Sequence, residues 1–143
     1  MILSNIATLL GVDPRDLTDW FWVAYTDAYD WVVEPNVLGM GTFAAGEVMT
    51  TKPYVSGAAY IHKMSDYCGG CAFDPKKNCP LTRLYWAFLG RHEVILGKNP
   101  RTAGPIASLR KRSPAERTED ERVFVRTREL LERGEQVTAS SLA

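Results

Sequence analysis

Cys68, Cys71 and Cys79 are the residues of this chain whose types and spacing point most directly to chemistry. Their pattern is C-x2-C-x7-C, and Gly69 and Gly70 between the first two leave the backbone free to wrap until both sulfurs face one centre. Thiolates so placed bind zinc or an iron–sulfur cluster, and Cys79-Pro80 matches the C-P ending of some cluster motifs. A structural site of either kind takes four protein ligands, whereas the chain carries three cysteines. His62 or His92 would complete a Cys3His zinc site, although each falls in a predicted helix where an ordinary surface or packing role is equally open. Spacing alone leaves three readings: an iron–sulfur cluster, a zinc site, or buried or merely reactive thiols.

A second concentration of chemically useful side chains lies upstream. Trp20, Phe21, Trp22, Tyr25, Tyr29 and Trp31 crowd one predicted helix, and at about 3.6 residues per turn Trp20, Ala24, Asp27 and Trp31 share a face. One reading is an aromatic core helix in which Asp27 finds a buried hydrogen-bond donor. The other is a flat aromatic cofactor nearby, with the indoles as redox relays and Asp27 as a polar anchor. Glu34-Pro35 ends the helix in this reading, and Gly39, Gly41 and Gly46 make the next stretch a loop able to approach a ligand closely.

The elements that must position these residues are helical. Ile2, Leu3, Ile6, Leu9 and Leu10 recur at helical spacing up to Gly11. Asp13 and Pro14 then open a second helix, predicted over about 14–33, with Asp16 in its first turn. A short packed helix is expected over 56–64, a loop through the cysteines, and a helix from Pro80 with Leu81, Leu84, Tyr85, Phe88 and Leu89 on its core face. Ser113, Pro114 and Glu116 form a capping box before a charged helix over about 114–133, after which the residues beyond Gly134 are expected to fray. No alternation supports a strand, so the expected fold class is all-α.

With 143 residues and 45% hydrophobic content, the chain suits one compact domain. Seventeen basic residues balance seventeen acidic ones, so bulk charge points to neither nucleic acid nor an anionic membrane. No apolar run reaches the roughly 20 residues that span a bilayer and the first residues lack a secretory signal, so the expected location is the cytoplasm and no membrane partner is expected. Arg110, Lys111 and Arg112 are a short basic run, either a phosphate contact or a solvated surface.

Several motifs in order carry a family resemblance. They are Asp19-Trp20-Phe21-Trp22-Val23-Ala24-Tyr25, Asp27-Ala28-Tyr29-Asp30-Trp31, Pro35-Asn36-Val37-Leu38-Gly39-Met40-Gly41, Thr51-Lys52-Pro53-Tyr54, Met64-Ser65-Asp66-Tyr67-Cys68 and Asp74-Pro75-Lys76-Lys77. Leu84-Tyr85-Trp86 and Asn99-Pro100-Arg101 continue the series. From Met1 to about Arg101 the chain resembles the C-terminal part of the iron–sulfur bacterial cryptochromes and photolyases, the photolyase-related proteins. The resemblance implies FAD in an all-helical domain, a [4Fe-4S] cluster on four cysteines, and an antenna chromophore in a separate N-terminal domain. Light-driven electron transfer from FAD then serves either repair of (6-4) photoproducts in DNA or blue-light signalling.

Carried onto this chain, the resemblance makes Cys68, Cys71 and Cys79 three cluster ligands, with the fourth expected from outside the chain. Trp20 corresponds to the tryptophan nearest the flavin, Tyr29 lies toward the DNA lesion, and Asp27, Asn36, Gly39, Met40 and Gly41 belong to the flavin pocket. Two features depart from the family: Val33 aligns where some members carry a carboxylate near the flavin N5, and the gap before Cys79 is short. The implied organisation is 1–105 as the C-terminal part of the FAD and cluster domain, 106–134 as a charged helix and 135–143 as a tail. The expected protein is a truncated or split version, inactive alone as a DNA photolyase, whose partners are the missing N-terminal part and, through the complete protein, DNA. The competing expectation is a small zinc-binding helical module that contacts nucleic acid or protein without catalysis.

Overall fold

The computed structural model describes residues 2–142; Met1 and Ala143, the ends of the first and last expected segments, lie outside them. All regular elements among the described residues are helical, and none is long and apolar enough to cross a membrane. The chain divides into two compact units, one running to Val55 and taking in Asn99–Thr102, the other formed by Ser56–Lys98 and the residues from Ala103 onward.

In the first unit, α1 (Ile2–Leu10) stops where Gly11 takes φ +72°, a conformation that favours glycine. Helix α2 (Pro14–Ala24) starts as its sequence dictates: the Asp13 carboxylate accepts from the Arg15 and Asp16 amides at 2.8 and 3.4 Å, and Pro14 occupies the first turn. It does not run to Val33. Tyr25 and Tyr29 are extended, and a short α3 (Asp30–Val33) follows the turn between them. The break lets Val33 and Val37 bury against Leu17, with Ala7, Phe21 and Ala28 around them. A straight rod of that length would hold Val33 and Leu17 some four turns apart, so apolar burial outweighs helix continuity.

The expected loop after Glu34 is also helical: Glu34–Gly41 is a π-helix. Pro35 has no amide to donate in the α register, and the wider ladder takes over, as in the 2.9 Å bond from the Thr42 amide to the Val37 carbonyl. Later in the unit, buried Asn99 joins two stretches distant in sequence. Its side-chain amide donates to the Thr51 carbonyl at 2.8 Å and its side-chain oxygen accepts from the Arg101 amide at 2.8 Å.

In the second unit, α4 (Ala58–Met64) leads through a single 3-10 turn (Tyr67–Gly70) to α5 (Pro80–Arg91) and the one-turn α6 (Glu93–Leu96). Helix α7 (Ala103–Arg110) is not among the expected helices; with Gly104 and Pro105 in its first turn its apolar pattern is short, and Ile106 and Leu109, three apart, are its buried stripe. Helix α8 (Pro114–Glu132) opens on the expected capping box, Ser113 and Glu116 bonding reciprocally. It packs chiefly on α5, where Leu84, Ala87, Phe88 and Leu89 are buried, while Leu81 and Tyr85 are only half-buried. The Arg91 guanidinium lies 3.6 Å from the Phe124 ring centre.

Candidate functional sites

The cysteine segment is a loop held by its own polar groups. The Asp74 carboxylate accepts from the Lys76 and Lys77 amides at 2.7 and 3.0 Å, and the Asn78 side chain accepts from the Asp74 amide at 2.7 Å. The Asp74 carbonyl gathers the Lys77, Asn78 and Cys79 amides at 3.2, 3.2 and 3.0 Å. This knot places Cys79 directly before α5, where Pro80 takes the first helical position.

Two of the three sulfurs, those of Cys71 and Cys79, accept backbone N–H bonds. The Phe73 amide donates to Cys71 Sγ at 3.5 Å, and the Leu81 amide bonds the Cys79 thiol and draws its pKa down. Burial is the larger influence and pushes the Cys79 thiol up, with neighbouring Cys71 and Cys68 raising it further. Cys71 is exposed and the other two are half-buried. The residue types and the two N–H···S bonds suit a thiolate-bound metal, whereas the raised pKa of Cys79 favours its neutral thiol in the chain as it stands. Among the described residues, however, no three histidine, cysteine, aspartate or glutamate side chains converge in ligating geometry. His62 and Asp66 are exposed, and His92 tilts against Phe88 with ring centres 4.6 Å apart; burial, then Arg91, lower its pKa.

The aromatic residues of the first unit form two groups, because the helix meant to carry them breaks. Phe21 and Tyr25 stack at 5.4 Å with Trp20 edge-on to both, whereas Tyr29 and Trp31 stack at 4.7 Å beyond the turn. Asp27 sits exposed in that turn, so neither the shared helical face nor the buried carboxylate expected of it exists. Trp20, Trp22, Tyr29 and Trp31 are 50%, 56%, 54% and 74% exposed, which makes a core role for these rings untenable.

The residues assigned to the flavin pocket have packing roles of their own. The Asn36 amide donates to the Val32 carbonyl at 2.7 Å. A Cβ on Gly39 would stand 2.7 Å from Met49 Cγ, and one on Gly41 3.0 Å from Ser4 Cβ and Oγ and 3.2 Å from the Asn36 carbonyl. Met40 is half-buried on the same π-helix, and Val33 is core. Just beyond, Phe43 takes φ +61°, a left-handed conformation uncommon for a bulky residue.

The basic run is divided between carboxylates. Arg110 pairs with Glu93 at 2.9 Å, and Arg112 reaches Asp120 through two bonds of 2.9 and 3.0 Å. Asp120, almost wholly buried, also accepts from Arg83 at 3.0 Å. Sequence reading missed this hub, since an aspartate amid the charges of α8 carries no mark of burial. An open cleft of about 710 Å³ lies beside it, with Phe73, Lys76, Cys79, Trp86, Arg122 and Leu142 among its lining residues.

No family model matches the chain. It is 46% identical over 113 residues, 76% of its length, to a (6-4) photolyase of Agrobacterium fabrum, and 44% identical over 66 residues, 46% of its length, to an uncharacterised protein of Acanthamoeba polyphaga mimivirus. The chain spans 22% of the first relative and 54% of the second. The (6-4) photolyase similarity supports the photolyase family, and the all-helical architecture accords with the helical domain of a photolyase-like protein.

Proposed function

We propose that this chain is the C-terminal segment of the FAD-binding helical domain of an iron–sulfur photolyase or cryptochrome, working only with the remainder of such a protein. The observation that carries the reading is the 46% identity to a (6-4) photolyase. In this reading residues 1–105 supply one wall of the cofactor domain, 106–134 brace it and 135–143 form its tail. Bound FAD would supply the light-driven electron for (6-4) photoproduct repair or for blue-light signalling. Trp20 would pass charge toward it, and Asp27, Asn36, Gly39, Met40 and Gly41 would shape one side of its pocket, with Tyr29 toward DNA. The exposed aromatic rings are what a wall awaiting its counterpart presents to solvent, since exposed apolar patches mark surfaces meant to be covered. Cys68, Cys71 and Cys79 would hold three irons of a [4Fe-4S] cluster, with the fourth ligand from outside the chain.

Anaerobic reconstitution with iron and sulfide tests this, run on the chain alone and with the complementary segment of an iron–sulfur photolyase. About four irons per complex and a brown, air-tolerant product are expected with the segment. Without it, iron should be substoichiometric and bleach quickly, because metal-binding energy that depends on a full ligand set is lost. A stable cluster on the chain alone would overturn the external ligand, and a colourless zinc protein would overturn the cluster.

A further inference from the structure

Residues 135–142, the described part of the expected tail, do not fray. Gly134 takes φ +71° at the end of α8, and the Glu135 amide donates back to the Leu130 carbonyl at 2.9 Å. A local knot follows: the Thr138 amide donates to Ser141 Oγ at 2.9 Å and the Ser141 amide to Thr138 Oγ1 at 3.1 Å. Two arginines pin the returning chain along α8, Arg126 donating to the Ser141 carbonyl at 3.1 Å and Arg122 to the Leu142 carbonyl at 2.7 Å. Leu142 is thereby buried with Val123 and Leu130, and Val137 and Phe73 pack against that cluster.

Phe73 links the tail to the cysteines. Its amide donates to Cys71 Sγ, and the next residue, Asp74, receives the Cys79 amide. The loop between Cys71 and Cys79 is otherwise held by polar bonds among exposed residues, which open easily in water, so the Phe73 ring is its apolar anchor. Phe73, Cys79, Ala139 and Leu142 accordingly line one cleft.

We infer that residues 135–142 are a strap which, through the Leu142 cluster that Val137 and Phe73 both pack against, holds the cysteine loop in place and shields Cys79. The strap rests on the proposed function only in giving the thiols a purpose; its packing does not depend on any metal.

The test is iodoacetamide labelling of the reduced, metal-free full chain with site-resolved mass spectrometry, so failure to take up iron leaves its outcome standing. Leu142→Ser and Phe73→Ala should each raise the Cys79 labelling rate several-fold, change the already exposed Cys71 less, and keep the far-ultraviolet circular dichroism. Leu142→Met, which conserves volume, should label like the wild type. If Leu142→Ser loses helix content, the milder Val137→Ser decides, with a smaller rise expected. Unchanged Cys79 labelling in folded Leu142→Ser or Val137→Ser, and in Phe73→Ala, would overturn the strap and leave the tail as a cap on α8 alone.

Discussion

Asp120 shows how one buried charge organises the second unit. Its carboxylate is reached by Arg83 from α5 and by Arg112 from the turn before α8, and the Arg112 guanidinium also lies 4.9 Å from the Trp86 ring centre. Asparagine in its place keeps the shape but removes the charge both guanidiniums share, leaving Arg112 only its longer 3.7 Å pairing with Glu116. Both arginines retain some access to water, at 41% and 15% exposure, so the cost should fall near the lower end for breaking a buried pair, about 3 kcal/mol. Urea denaturation of Asp120→Asn checks it, and a loss under ~0.5 kcal/mol, as for an ordinary surface change, would show the hub to be dispensable. Arg110 and Arg112 already have carboxylate partners, so a phosphate would have to compete with Glu93 and Asp120 for them.

Among the elements, the π-helix Glu34–Gly41 is the one whose residues serve two readings at once. Gly39 and Gly41 are placed where a flavin pocket is proposed, yet each also accommodates a neighbour. Neither neighbour yields at a free side-chain end: a Cβ on Gly39 would meet Met49 Cγ and Cβ at 2.7 and 3.2 Å, close to the Met49 backbone, and one on Gly41 would meet Ser4 Cβ and the Asn36 carbonyl. Gly39→Ala and Gly41→Ala should therefore each cost about 1–3 kcal/mol as overpacked sites. Thermal denaturation of both variants in the isolated chain reads this without any cofactor. Wild-type melting temperatures in both variants would mean that the glycines answer to a ligand and not to Ser4 and Met49.

For the whole molecule, the two units divide the candidate chemistry, the aromatic and glycine motifs in one and the cysteines in the other. The first unit leaves its rings in solvent, and a pocket that must bury most of a large ligand needs more wall than they supply. Isothermal titration should accordingly find FAD binding by the chain alone weak or undetectable. Sub-micromolar stoichiometric binding would remove the need for a partner. In a complex restored with the complementary segment, Trp20→Phe should leave the fold intact and slow blue-light reduction of bound FAD. An unchanged rate would reduce Trp20 to a surface ring.

What the sequence determined by itself is local. Asp13-Pro14 and Ser113-Pro114 with Glu116 started their helices as read, Gly11 stopped one, and Cys79-Pro80 opened another, because caps and glycine or proline geometry act within a few residues. The motif series likewise carries the photolyase resemblance, which the 46% identity to a (6-4) photolyase supports. Only tertiary structure decided that the aromatic helix breaks after Ala24, that Asp120 is buried among arginines, and that Leu142 returns to a cluster that Phe73 packs against. Each outcome turns on apolar burial or charge pairing between residues far apart in the chain. Helical periodicity predicts the face a residue would occupy on an unbroken rod; it does not report what that face will meet.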